Sequence, residues 1–204
     1  MKMHPTRPMR SRVAAFTLVE LMIVVALLAI IVTLAAPSLR DMILMQRLRG
    51  VHAQVVADLA WARSEAISRG TFLQLRYQSS SGGSGKSCYI IYARQNVADS
   101  PLCDCLADEG SRCSGAMTEV RTVQVPNSES IRIDPPVGGL LHFTFDPRTG
   151  GIALPPSDLE QTPRDQFRVE TYIDSARNIR AVVGMAGRTT VCVPPFSRMP
   201  GTPC

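Results

Sequence analysis

The sequence predicts an α+β fold: one long N-terminal helix, part membrane segment and part amphipathic, packed on antiparallel β-sheet with disulfide-stapled loops. Three observations carry this reading. Residues 16–37, FTLVELMIVVALLAIIVTLAAP, form an apolar run whose only charge is Glu20. Residues 48–66 then repeat apolar side chains in steps of three and four, the period of a helix with one buried stripe. From Thr71 onward that period gives way to nine short runs rich in β-branched and aromatic residues, separated by turn formers. A helix followed by many strands is the pattern of an α+β domain.

The apolar run comes first. At about 1.5 Å per residue, twenty-odd helical residues reach roughly 30 Å, the thickness of a bilayer's hydrocarbon core. Lys2, Arg7, Arg10 and Arg12 precede it, and the first fifteen residues hold no acid. This asymmetry keeps the N-terminus cytoplasmic and sends everything after Pro37 across the membrane. A secretory signal would have a shorter apolar core and a small-residue cleavage site beyond it. Ala35-Ala36-Pro37 is a poor site of that kind, because proline follows directly. Glu20 is the anomaly. A carboxylate at that depth costs about 2.5–3.5 kcal/mol on insertion scales, so a partner is required. The cation that reaches it is the α-amino group of a chain cut between Ala15 and Phe16.

The stretch Ala15-Phe16-Thr17-Leu18-Val19-Glu20-Leu21-Met22 resembles the processing site of type IV pilins and type II secretion pseudopilins. The resemblance implies cleavage by a prepilin peptidase after Ala15 and methylation of the Phe16 amine. It also implies that Glu20 pairs with the N-terminus of a neighbouring subunit as a fibre assembles. Pro37 matches the helix-kinking proline of these proteins. The family usually places glycine before the cut, where this chain has Ala15. A plain single-span anchor is the alternative.

Removing the leader changes the electrostatic reading. Four of the 22 basic groups lie in residues 1–15, leaving 18 bases against 17 acids. Past Gly50 the domain has fifteen of each, so the pI of 9.1 is a property of the leader and says nothing about nucleic acid. About 150 residues remain for one globular domain, enough for a real core. The organisation expected is therefore a leader at 1–15, a transmembrane and assembly helix at 16–37, an amphipathic helix at 38–70 and a periplasmic β-rich domain at 71–204.

Six cysteines, at positions 88, 103, 105, 113, 192 and 204, all lie on the translocated side. An even count in an oxidising periplasm favours disulfides. Cys192 with Cys204 is the preferred pair, pinning a proline-rich tail in a loop worth roughly 3 kcal/mol. Cys103 and Cys105, spaced as Cys-x-Cys, are expected to pair elsewhere, with Cys88 and Cys113 as partners. A zinc site from Cys103, Cys105 and Cys113 is the alternative, but it lacks a C-x-x-C pair and a nearby histidine.

Beyond Pro37 the buried stripe is Leu48, Val51, Val55, Leu59, Ala62 and Ala66, with Arg47, Arg49, Asp58, Arg63 and Glu65 on other faces. Gly70 stops the helix. Strands are expected at 72–77, 88–93, 120–125, 130–133, 140–145, 151–154, 167–173, 179–183 and 189–193. The Ser/Gly-rich stretch 79–85 reads as a hairpin tip, 95–117 as a stapled polar loop, and 146–151 (DPRTGG) as a turn.

Three of these stretches resemble the GspH/FimT-type minor pilins: residues 58–70 (DLAWARSEAISRG), residues 143–151 (FTFDPRTGG), and the closing 179–184 with Gly187-Arg188. That resemblance implies a minor subunit, one that assembles with major and minor pilins and stands near the fibre tip or primes assembly. The pseudopilin of a type II secretion system is the second reading.

No enzyme is read here, and no cofactor or metal. His4, His52 and His142 sit in no nucleophile or metal motif, and there is no phosphate-binding glycine loop. A cysteine-based redox protein is the one enzymatic alternative. Some FimT-like proteins bind DNA through a C-terminal Gly-Arg-x-Arg motif, of which Gly187-Arg188-Thr189-Thr190 keeps the first arginine. Residues 164–204 hold six arginines against three acids, and Arg177, Arg180 and Arg188 are the candidate phosphate contacts for weak, salt-sensitive binding.

Overall fold

Helix α1, Leu18–Arg69, begins on a cap that the sequence spells out locally. Thr17 Oγ1 accepts the Glu20 backbone N–H at 3.2 Å, one half of the Thr-x-x-Glu capping box. Its other end is equally defined: Thr71 N donates to Ala66 O and Gly70 N to Ile67 O, with Gly70 at φ 63°, the bond pair of a Schellman motif. The structure is a computed structural model and describes residues 17–79, 86–96, 103–126, 130–134, 142–153 and 167–204. The leader, the cleavage position Ala15/Phe16, most of the 79–85 hairpin tip and Arg164 lie outside the described residues.

The chain divides into two compact units, residues 1–43 and 44–204. In the first, the described residues belong to α1, and the large apolar side chains from Leu18 to Ile43 are all 44–75 % exposed. This is a helix apolar on every side, the kind that lives in lipid or among other helices. Pro37 lies within it, and a proline supplies no main-chain N–H.

In the second unit, α1 buries Leu48, Val55, Leu59, Ala62 and Ala66 completely or nearly so, with Val51 half-buried beside them. Two antiparallel sheets cover that stripe. The first is formed by β1 (Phe72–Ser79), β2 (Ser87–Arg94), β3 (Thr118–Val125), β5 (His142–Phe145) and β6 (Ile152–Ala153), in the order β3-β2-β1-β5-β6. The second is formed by β4 (Arg132–Asp134), β7 (Phe167–Asp174), β8 (Arg177–Val183) and β9 (Thr189–Cys192), in the order β4-β7-β8-β9. Phe143 of the first sheet meets Phe167 of the second with ring centroids 5.3 Å apart, so one core serves both. Every expected strand is present, with edges shifted by one to two residues where both ends are described.

β2 is buried on both faces, which an alternating pattern does not suggest. Tyr89 and Ile91 face the main core, while Cys88, Ile90 and Tyr92 face a second small core with Cys103, Cys105 and Met117. The cysteine loop is therefore a lid on the outer face of the first sheet. Disulfides join Cys88 to Cys105, Cys103 to Cys113 and Cys192 to Cys204. The zinc alternative falls, because the three thiols it needs are all oxidised.

The aspartate-capped turn at 146–151 ties the sheets to the helix end. Asp146 Oδ1 accepts the N–H groups of Arg148 and Thr149, and Arg63 Nε donates to Gly150 O at 2.9 Å. Gly187, in the β8–β9 hairpin at φ 74°, presses on the same carbonyl so closely that a Cβ would stand 2.0 Å from Gly150 O. Gly187→Ala is thus both strained and clashing. It should cost about 3 kcal/mol and lower the melting temperature by roughly 5–10 °C, read by thermal denaturation of the detergent-solubilised protein.

Candidate assembly site

Glu20 stands in the first turn of α1, exposed and surrounded along the helix by apolar side chains. A carboxylate there complements the positive end of the helix dipole, yet in a bilayer it still needs a cation. Phe16, whose amine would supply one in a cleaved chain, lies outside the described residues. Thr33 Oγ1 bonds to Ile30 O at 2.8 Å, satisfying its own hydroxyl inside the helix.

Two polar residues on the other half of α1 do not face solvent. Asp58, grouped by sequence with the exposed faces, is 3 % exposed and sits under β2 and β3. It accepts the Tyr89 hydroxyl at 2.5 Å and pairs with Arg121 Nε at 3.0 Å. Burial drives the Tyr89 hydroxyl far above its usual range, and the bond to Asp58 adds to the shift. His52 is likewise buried, its Nδ1 3.1 Å from Thr171 Oγ1 on β7, while Nε2 has no partner among the described residues. These contacts pin the rotation of α1 against both sheets. The arrangement positions the helix against the sheets.

The three arginines singled out for phosphate contact are not brought together. Arg177 Nη2 binds Asp174 at 2.6 Å, and Arg180 Nε binds Glu170 Oε1 at 2.8 Å across the β7–β8 ladder. The hydrogen bond from Arg177 holds the Asp174 carboxyl below its ordinary range. Arg188 is exposed at the end of the β8–β9 hairpin, and Arg168 and Arg198 are exposed elsewhere in the second sheet and tail.

Residues 53–187 match the model of the family described as "Type II transport protein GspH", and residues 10–36 match that of the prokaryotic N-terminal methylation motif. The chain belongs to the GspH family. Two crystal forms of the type IV minor pilin FimU of Pseudomonas aeruginosa PAO1 are similar to it. They share 15 % identity each, with TM-scores of 0.46 and 0.44, and cover 77 % and 76 % of this chain and 95 % and 98 % of their own. No curated protein matches it. The GspH family is one of pilin-like structural subunits, and the chain is a minor pilin or pseudopilin with a membrane-type N-terminal helix.

Sequence reasoning missed the Thr17 cap, although Thr-x-x-Glu is a local signal. It also missed the Asp58 and His52 contacts, whose partners lie 31 to 119 residues away. The Gly187 contact explains why glycine precedes Arg188: the position is a packing point as well as a turn.

Burial lowers the His52 pKa from 6.5 to about 4. The unfolded chain therefore binds a proton between those values that the folded chain refuses. The resulting stability is fully present above pH 6.5 and is lost as pH falls toward 4, by on the order of 3 kcal/mol. Melting temperature should fall over this window, and His52→Gln should flatten the slope. The depressed carboxyls of Glu119 and Asp174 add their loss below the ordinary carboxyl range.

Proposed function

We propose that this chain is a minor type IV pilin, inserted in the inner membrane with its C-terminal domain periplasmic, that enters the fibre at or near the tip and helps to prime its assembly. A prepilin peptidase removes residues 1–15 between Ala15 and Phe16, and the Phe16 amine is methylated. Residues 16–37 then serve as anchor and assembly helix, 38–70 carry the domain, and 71–204 form the head. Glu20 takes the N-terminal amine of a neighbouring pilin, and Pro37 marks the end of the membrane segment. The observation that carries this reading is a single acid in the first turn of a helix whose residues 18–39 are otherwise uncharged and expose apolar side chains on every side. Such a helix is tolerable in lipid and more so when a sister subunit neutralises its charge.

The family match favours a second reading, since its description is of a type II transport protein: a minor pseudopilin of a secretion system. The two share one assembly mechanism. A deletion strain separates them, because the pilin reading expects lost surface fibres and twitching with secretion intact, and the pseudopilin reading expects the reverse. Of the arginines considered for DNA, Arg177 and Arg180 are each held by a carboxylate, and Arg188 is exposed at the end of the β8–β9 hairpin.

Glu20→Gln should insert in the membrane normally but enter sheared fibres at least about tenfold less often than the native chain, measured by quantitative blotting of the fibre and membrane fractions. Equal incorporation would refute the role given to Glu20.

A further inference from the structure

The second sheet ends on an open edge, and beside that edge the core is unfinished. β9 has β8 on one side and, among the described residues, no strand on the other. A cavity of about 530 Å³ opens there between Ala53, Val56 and Ala60 of α1, Val191 of the sheet and the tail residues Pro200 and Thr202. Arg49 supplies the one charge on its wall. Val191 is 47 % exposed although its neighbours Ile179 and Ala181 are buried.

The backbone shows what kind of guest this edge takes. Immediately after β9, Val193 N donates to Thr202 O at 2.8 Å and Val193 O accepts Cys204 N at 3.0 Å. The chain's own tail, closed by the Cys192–Cys204 disulfide, is thus a one-residue parallel strand on the outer side of this edge. Backbone groups alternate in direction along a strand, so Thr189 and Val191 point the same way as Val193. Their N–H and C=O groups continue the ladder that the tail has begun. The edge residues Thr189, Thr190 and Val191 include no lysine or proline, and the β8–β9 register has no bulge, devices that blunt strand addition.

We infer that this edge and cavity accept an extended segment of a neighbouring subunit as an added strand, with alternate apolar side chains entering the cavity and a carboxylate reaching Arg49. A helix laid in the same cavity would bury the outward groups of Thr189 and Val191 without partners, which costs free energy that a strand does not. The inference rests on the proposed role as a fibre subunit and assigns the face that contact uses.

The test places p-benzoylphenylalanine at position 191 of the full-length chain, irradiates purified fibres and maps the adducts by mass spectrometry. Adducts to an extended segment of a neighbouring subunit are expected. Adducts to a neighbour's helix, or only within the same chain, overturn the inference while leaving the fibre role intact. Absence of the chain from purified fibres overturns both. A paired comparison adds a functional readout: Val191→Pro removes the outward N–H and restrains the local backbone, whereas Val191→Ala keeps the N–H. Incorporation should be roughly tenfold lower for the proline variant than for the alanine variant at matched melting temperature. Equal incorporation contradicts strand addition.

Discussion

Both sheets depend on one buried stripe. Leu48, Val55, Leu59, Ala62 and Ala66 of α1 touch a single core that also contains Leu73 and Leu75 of β1, Tyr89 of β2, Phe143 of β5, and Val169 and Ala181 of β7 and β8. A large-to-small change at a fully buried leucine typically costs 2–5 kcal/mol, a large part of a domain's total stability. Two leucines of this stripe are completely buried, so the head holds its form only as long as the helix lies in its groove. The Asp58–Tyr89 and His52–Thr171 contacts fix which face of the helix looks inward, a choice that apolar packing alone specifies loosely.

The same helix serves two solvents. Within residues 44–69 its apolar side chains form a stripe and its charges lie to either side, apart from the paired Asp58. Within residues 18–43 the apolar side chains go all round and nothing among the described residues covers them. The change falls near Arg40-Asp41, where charge first returns after Glu20. A helix that is apolar on every side must be covered by lipid or by other helices. This physical demand, more than any feature of the head, sets the surroundings of the segment: lipid or other helices.

Much of this was legible in the sequence because the signals were local. The apolar run, the stripe at steps of three and four, the Gly70 stop and the β-rich runs each depend on neighbours within a few residues. The division into two sheets was not legible, because strand order is a matter of long-range pairing: β1 passes over three later strands in the chain to reach β5, and β4 skips β5 and β6 to pair with β7. The fate of Asp58 was hidden for the same reason. An acid on a helix reads as solvent-facing until Tyr89 and Arg121 arrive from two strands to receive it. The arginine count near the C-terminus likewise suggested free cations, until the β7–β8 register set Glu170 opposite Arg180. The cysteine lid lay between these cases, since Cys-x-Cys excluded one bond but only the buried outer face of β2 shows why the loop is held there.

A fibre subunit of this kind must keep its apolar helix while losing the basic leader in front of it. Intact-mass and peptide mass spectrometry of the protein extracted from membranes measures this directly. The account predicts a mature chain that starts at Phe16, carries one N-methyl group and retains residues 16–37. A chain that starts at Met1, or one cut beyond Ala36 with the helix gone, would contradict it.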